Sequence, residues 1–453
     1  MKALQATALI AAILFFATPE GLDSCGIGAP LPVFVTTEGP PDVNQFLKGK
    51  LGVLRQTYQP RHLIGAFRVL SGIPLTKGEM ASLYEETPGT GAPYPSSMDL
   101  WIVARRAVPG LGAAPDVNPY KMFHGVSYSF LNCNKDAFAT ATATLAELNQ
   151  AWGSGDPRTR EWASAQDQVF SNCSGTTAVI PAAPTAEMDP LLAAHRRYQI
   201  AAALFYSGQL RKASAAFQQI AEDPDSPWRG FAPYLVGRAL LRSGLLDGDL
   251  EAFREGKDRL LAVANDPEQE EWHDSSLNLV QLWRIRVEPL KRAGELSRTL
   301  MQPVDGDVSQ SVIDLLYLLN NRVYGGARPW SPQEISQVEE SSELAAWLLC
   351  MSRRLPADAG ERSVEWWRKV HKPAWLIASL ANAEEKDLPE LLEAARQVPP
   401  ASPAFESVAY YAVAREIGRR QLDSARTLAD LALRQNLAPA SRNAILGLRM
   451  PMR

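Results

Sequence analysis

The chain has 453 residues, more than one ordinary hydrophobic core supplies, though a stack of repeats grows by adding units and need not split into globular domains. With 46% hydrophobic and 21% charged residues, its composition gives no sign of disorder. A formal net charge of -4 offers neither a nucleic-acid footprint nor a polybasic membrane patch, so nucleic acid is not an expected partner.

At the N-terminus, Lys2 precedes an apolar run from Ala3 to Ala17. That run is shorter than the ~20 residues needed to cross a bilayer and stands where the h-region of a signal peptide stands. Residues 1–24 are therefore expected to be an export signal, with a buried first helix as the alternative. Leu22-Asp23-Ser24-Cys25 resembles a bacterial lipobox, which implies lipidation of Cys25. Ordinary cleavage after small residues is the competing reading, although no clean A-x-A site follows the run. A lipid anchor is the one membrane attachment expected, because no later stretch is apolar enough to span. The expected location is the periplasm or the outer membrane of a bacterial envelope.

Residues 25–185 are read as an irregular, mostly helical N-terminal region. Gly and Pro punctuate it, as in Gly26-Ile27-Gly28-Ala29-Pro30 and Pro88-Gly89-Thr90-Gly91. Val33 to Thr36 reads as a short strand, and Arg61–Leu70 and Lys77–Tyr84 read as helices. Further on, Cys133 stands before an expected helix from Asp136 to about Trp152. Cys173 stands after a second helix from about Arg158 to Phe170, and Gly153-Ser154-Gly155-Asp156-Pro157 turns between them. An antiparallel hairpin of two such helices sets the start of the first beside the end of the second, so a Cys133–Cys173 disulfide is predicted; two buried free thiols are the alternative. Metal binding is not expected there, since neither CxxC nor a His at ligand spacing is present. Cys350, in the apolar segment Leu344–Met351, reads as a core thiol.

Pro181-Ala182-Ala183-Pro184 reads as a hinge, after which 186–453 is expected to be a helical solenoid. The opening unit carries small residues at Ala201, Gly208 and Ala213, with Tyr198, Phe205 and Phe217 filling the space around them. It resembles a tetratricopeptide repeat: Gly208 ends the first helix, Ala213 and Phe217 lie on the inner face of the second, and Pro224 stands near the end of the unit. It departs from that pattern at Arg197 and Ala201, where the family has Trp and Gly. Helix starts then recur as a capping residue followed by proline, at Asp189-Pro190, Ser226-Pro227, Ser331-Pro332 and Ser402-Pro403, and Glu334 completes a capping box with Ser331. Amphipathic segments run over 275–290, 311–321, 342–353, 375–383, 388–397, 405–419 and 424–434, which makes six or seven helical hairpins. A last helix is expected from Ser441 to Met450, ended by Pro451. No polar capping helix follows it, so either the chain is a shortened relative of a longer protein or this helix caps the stack. The expected fold is mainly α, a right-handed solenoid of tetratricopeptide-like hairpins behind an irregular N-terminal region.

The segments Leu131–Phe138, Ala165–Cys173 and the repeat unit through Ser226-Pro227-Trp228-Arg229 are similar to a group of exported bacterial proteins with tetratricopeptide-like repeats. That resemblance implies export and a helical fold, and no activity. No HExxH, GxSxG, P-loop or GxGxxG motif occurs, and none of the five histidines has a partner at useful spacing, so the chain reads as no enzyme, with no cofactor and no metal. The best candidate ligand patch lies between Glu365 and Trp375, where Trp366, Trp367, Arg368 and Trp375 gather aromatic and cationic groups; core packing is the competing reading. Arg196-Arg197 with Arg211-Lys212 reads as a solvated basic face, and Asn172-Cys173-Ser174 matches a glycosylation sequon by chance. The expected role is an exported scaffold that binds an envelope protein or peptide; the alternative is glycan handling, with binding of glycan or murein ranked ahead of hydrolysis by a carboxylate pair in the N-terminal region.

Overall fold

The computed structural model describes residues 43–76, 78, 79, 83, 96–122, 129–303, 308–322, 329–352 and 357–452. The expected export signal, Cys25 and the strand at 33–36 lie outside them, as does most of the helix expected over 77–84. The described chain is mainly helical, and consecutive helices pack on one another. It divides into two compact units, one of residues 96–287 and one that joins the described part of 43–83 to 288–452. These boundaries differ from the hinge expected at 181–184. Helices on either side of that hinge pack directly, and the Ala182 carbonyl accepts a hydrogen bond from Arg196.

The chain starts in the second unit, with α1 (Val43–Leu47) and α2 (Pro60–Leu70), the latter opened by a proline whose missing N–H costs nothing at that position. Next, in the first unit, comes α3 (Ser97–Arg106), started by a capping box in which Ser96 Oγ accepts from the Asp99 N–H and Asp99 accepts from the Ser96 N–H. A two-stranded antiparallel hairpin follows, β1 (Tyr120–Met122) against β2 (Ser129–Leu131), with Tyr120 opposite Leu131. It was not expected, since its strands are too short to show an alternating pattern.

Helices α4 (Lys135–Trp152) and α5 (Pro157–Ser171) form the expected hairpin. Gly153, at φ +94°, turns the chain, and Asp156 caps α5 through the Arg158 N–H. The start of α4 thereby meets the end of α5, and Cys133 is disulfide-bonded to Cys173 with their Cα atoms 5.5 Å apart. Asn132 Nδ2 donates to the carbonyls of Asn172 and Cys173, so the junction is tied twice.

Then come α6 (Pro190–Ser207), capped by Asp189 and ended by Gly208 at φ +92°, and α7 (Leu210–Glu222). Ala201, Ala213 and Phe217 are buried between them, as their small-and-large alternation requires. Helices α8 (Ala232–Leu246) and α9 (Leu250–Asn265) repeat the arrangement more tightly. A Cβ on Gly256 would lie 2.6 Å from the Leu241 backbone N, and one on Gly237 would lie 2.7 Å from Leu260. A 3-10 turn (Pro267–Trp272) leads into α10 (His273–Val287). Ser226-Pro227 does not start a helix. Ser226 Oγ accepts from the Trp228 N–H and closes a turn, and α8 begins six residues later. The reason is tertiary: the turn stacks Trp228 on Tyr198, with centroids 3.8 Å apart.

The helix expected over 275–290 ends at Val287, and the second unit resumes with α11 (Pro289–Leu300), which begins anew because a proline cannot supply the next helical N–H. Then follow α12 (Ser309–Arg322), α13 (Pro332–Ser341), α14 (Glu343–Cys350), α15 (Ala359–Val370), α16 (Pro373–Asn382) and α17 (Leu388–Arg396). The last three are α18 (Phe405–Gly418), α19 (Leu422–Leu433) and α20 (Pro439–Arg449). The Ser331–Glu334 capping box starts α13 as expected, whereas Ser402-Pro403 forms a turn before α18. Helix α14 is buried from Leu344 to Cys350, and desolvation pushes the Cys350 thiol up to about 12, an inert core thiol. The segment 43–70 belongs to this core. Ser407 Oγ accepts from the Leu54 N–H and donates to the Gly52 carbonyl, Tyr411 OH donates to the Leu54 carbonyl, and Phe67 packs on Trp347.

Candidate functional site

A groove with polar walls lies within the second unit, between α13 and α15, and has a volume of about 530 Å³. Its α13 wall presents Pro332, Ser336, Glu339 and Glu340, spaced at i, i+4, i+7 and i+8, so that they share one helical face. Its α15 wall presents Asp358, Arg362 and Trp366 in one row of i, i+4 neighbours and Glu361, Glu365 and Lys369 in the next.

Among the four residues of the expected ligand patch, only Trp366 lines this groove. Successive residues of a helix point about 100° apart, so 366, 367 and 368 diverge. Trp367 turns into the core, edge-on to His371. Arg368 points away from the groove and pairs with Glu390 at 2.7 Å and Asp387 at 2.9 Å. Trp375, on α16, is fully buried, and its Nε1 donates to Glu343. It stacks on Trp366, with centroids 5.0 Å apart and rings 5° from parallel. One face of the Trp366 ring is thus supported by the core, and the Lys369 ammonium lies 4.7 Å from its centroid.

The charges in the groove fall into two sets. Arg362 is held by Glu339 and by Asp358, the latter at 2.7 Å, so these three groups neutralise one another in part. Burial pushes the Glu339 carboxyl up from its ordinary value against the pull of Arg362. Glu361 and Glu365 are exposed on the α15 wall. The sequence reading missed the acidic groups because they stand on two helices that only the fold brings together. The helical spacing of 358, 361, 362, 365, 366 and 369 was nonetheless there to be read.

Elsewhere, the structure sorts the other marked residues. In the first unit His195 is buried between Trp162 and Trp228, and its Nδ1 accepts from Trp228 Nε1 at 3.1 Å. Desolvation lowers its pKa to about 4, so it is neutral at pH 7. Arg196 corrects the reading of a solvated basic face. It is buried, bound to Glu161 and the Ala182 carbonyl, whereas Arg211 lies on the surface with Asp249. Asn172 of the sequon is buried and bonded on both sides of its amide, to Val179 among others. His273 Nε2 donates to the Asp266 carbonyl, 2.7 Å away, a helix-start contact. Arg238 pairs with Asp136, and Arg242 reaches Asn132 and lies over Phe205 and Phe130, so residues beside the disulfide fill the face of α6 and α8. No group of three or more His, Cys, Asp or Glu residues suited to a metal ion occurs among the described residues. No helix among them is long and apolar enough to cross a membrane. No family model matches the chain, and no curated protein or solved structure matches it.

Proposed function

We propose that this protein is an exported helical-repeat scaffold of the bacterial cell envelope, anchored through Cys25 or released after signal cleavage, that binds a protein partner. The fold in this reading is a tetratricopeptide-like solenoid. Its support is the pairing of α6 with α7 and of α8 with α9 through small residues, each first helix ending at a tight turn. The single observation that carries the binding role is the α13–α15 groove, whose walls are side chains of two helices with charged groups at the rim. Helical repeats bind partners through such inter-helix surfaces, with recognition spread over side chains rather than held in a reactive constellation.

The glycan reading draws less support. Aromatic sugar sites present several exposed ring faces, whereas Trp366 is the one aromatic among the described residues that line the groove and gives one of its faces to Trp375. The other aromatic column, Trp228, Tyr198, Phe231 and Trp272, likewise stacks ring on ring. Crosslinking of the tagged protein in its native envelope, followed by mass spectrometry, tests the scaffold role. A reproducible protein partner is the expected result; retention of murein fragments with no protein would reverse the two readings.

A further inference from the structure

We propose that the groove between α13 and α15 recognises a basic protein segment, with one lysine or arginine side chain seated over Trp366 and between the carboxylates of Glu361, Glu365 and Glu340. This deepens the scaffold reading, on which it rests for the existence of a protein partner.

Three observations lead there. First, the Trp366 ring already carries a cation, since Lys369 Nζ lies 4.7 Å from its centroid. Lys369 is exposed, on a flexible stem, and an incoming cation can replace it at little cost. Trp375 stacks behind the ring and holds it in one orientation, so the aromatic surface is ordered before a ligand arrives. Second, the sign of the charge is set. Arg362 is engaged by Glu339 and Asp358, whereas Glu340, Glu361 and Glu365 on the groove walls have Lys369 as the one further lining cation among the described residues. An anionic ligand meets those carboxylates unfavourably, and a cationic one complements them. Third, about 530 Å³ accommodates one or two side chains rather than a folded domain. Arginine suits it best, because a planar guanidinium stacks on an indole while its N–H groups pair with a carboxylate in bidentate fashion.

The test uses the full chain and fluorescein-labelled pentaarginine, with binding read by fluorescence anisotropy at low and at physiological salt. Glu361→Gln with Glu365→Gln, and separately Trp366→Leu, are expected to weaken binding by about tenfold, the sum of two surface ion pairs or one cation–π contact. Glu147→Gln with Glu271→Gln, an equal change of charge on exposed residues of the other unit, is expected to change it less than twofold. Lys369→Ala is expected to tighten binding, a gain that a misfolded variant does not produce. Equal weakening by the two double variants would show attraction to bulk charge alone and overturn the proposal, as would no binding of pentaarginine at either salt concentration. Envelope crosslinking separates the two readings. A protein partner recovered equally well with the Glu361/Glu365 and Trp366 variants leaves the scaffold and removes this groove. Groove-dependent binding of pentaarginine with no partner recovered does the reverse.

Discussion

His195 shows how far one buried side chain couples stability to pH. Its folded pKa, about 4, lies below the ordinary value of 6.5. Between those two values the unfolded chain takes up a proton that the folded chain refuses, so this contribution is whole above about pH 6.5 and is lost as pH falls toward 4. The shift corresponds to at most about 3 kcal/mol. Urea midpoints measured from pH 7 to pH 4.5 should therefore fall less steeply for His195→Gln, which keeps an acceptor for Trp228, than for the native chain. Identical slopes would mean that His195 titrates normally in the folded state. The disulfide acts at the same scale. Cys133 and Cys173 are 40 residues apart, and in the chain-entropy model closing a loop of that length stabilises by about 4 kcal/mol. Cys133→Ser combined with Cys173→Ser should lower the denaturation free energy of the first unit by that order; a loss under 1 kcal/mol would place the stabilisation in the Asn132 hydrogen bonds instead.

At the scale of elements, backbone contact matters more than helix propensity. Gly237, Gly244 and Gly256 would be poor choices for isolated helices, each costing up to about 1 kcal/mol relative to alanine. They are present because α8 and α9 touch through them, with Gly256 against the Leu241 backbone and Gly244 against Phe253. Gly256→Ala should destabilise by about 1 to 3 kcal/mol through overpacking, although alanine is the better helix former. A thermal melt of this variant that matched or exceeded the native one would show that the two helices separate easily. Helix starts at Asp189 and Ser331 were legible from the cap and the proline because both signals are local. The same dipeptide signal failed at Ser226, where the turn stacks Trp228 on Tyr198, and at Ser402, where a turn precedes α18.

For the whole molecule, the chain order and the order of packing differ. The second unit takes residues from both sides of the first, with Phe46, Leu63, Ile64 and Phe67 all buried in it. A fragment of residues 90–287 should fold and melt cooperatively by itself. A fragment of 288–453 should not, because it lacks the side chains that cover Trp347 and the backbone that binds Ser407. Dye binding to exposed apolar surface and a broad melt are the expected readings for that second fragment. A sharp, dye-free transition would show that residues 43–70 are dispensable to it.

Helical character, most helix positions in the C-terminal half, the turn at Gly153 and the pairing of Cys133 with Cys173 all followed from the sequence. Each depends on periodicity, caps or spacing within a few dozen residues, and such interactions are written along the chain. The patch from Trp366 to Trp375 was visible as composition, but which of its residues face a ligand was not. That depends on the rotation of α15 against α13 and α16, which sends Trp367 inward, Arg368 to Glu390 and Trp366 alone into the groove. The carboxylates of Glu339 and Glu340 join it from a helix about twenty residues away, and residues 43–70 complete a core more than two hundred residues further on. These are long-range contacts between faces, and a face acquires its neighbours only when the helices pack.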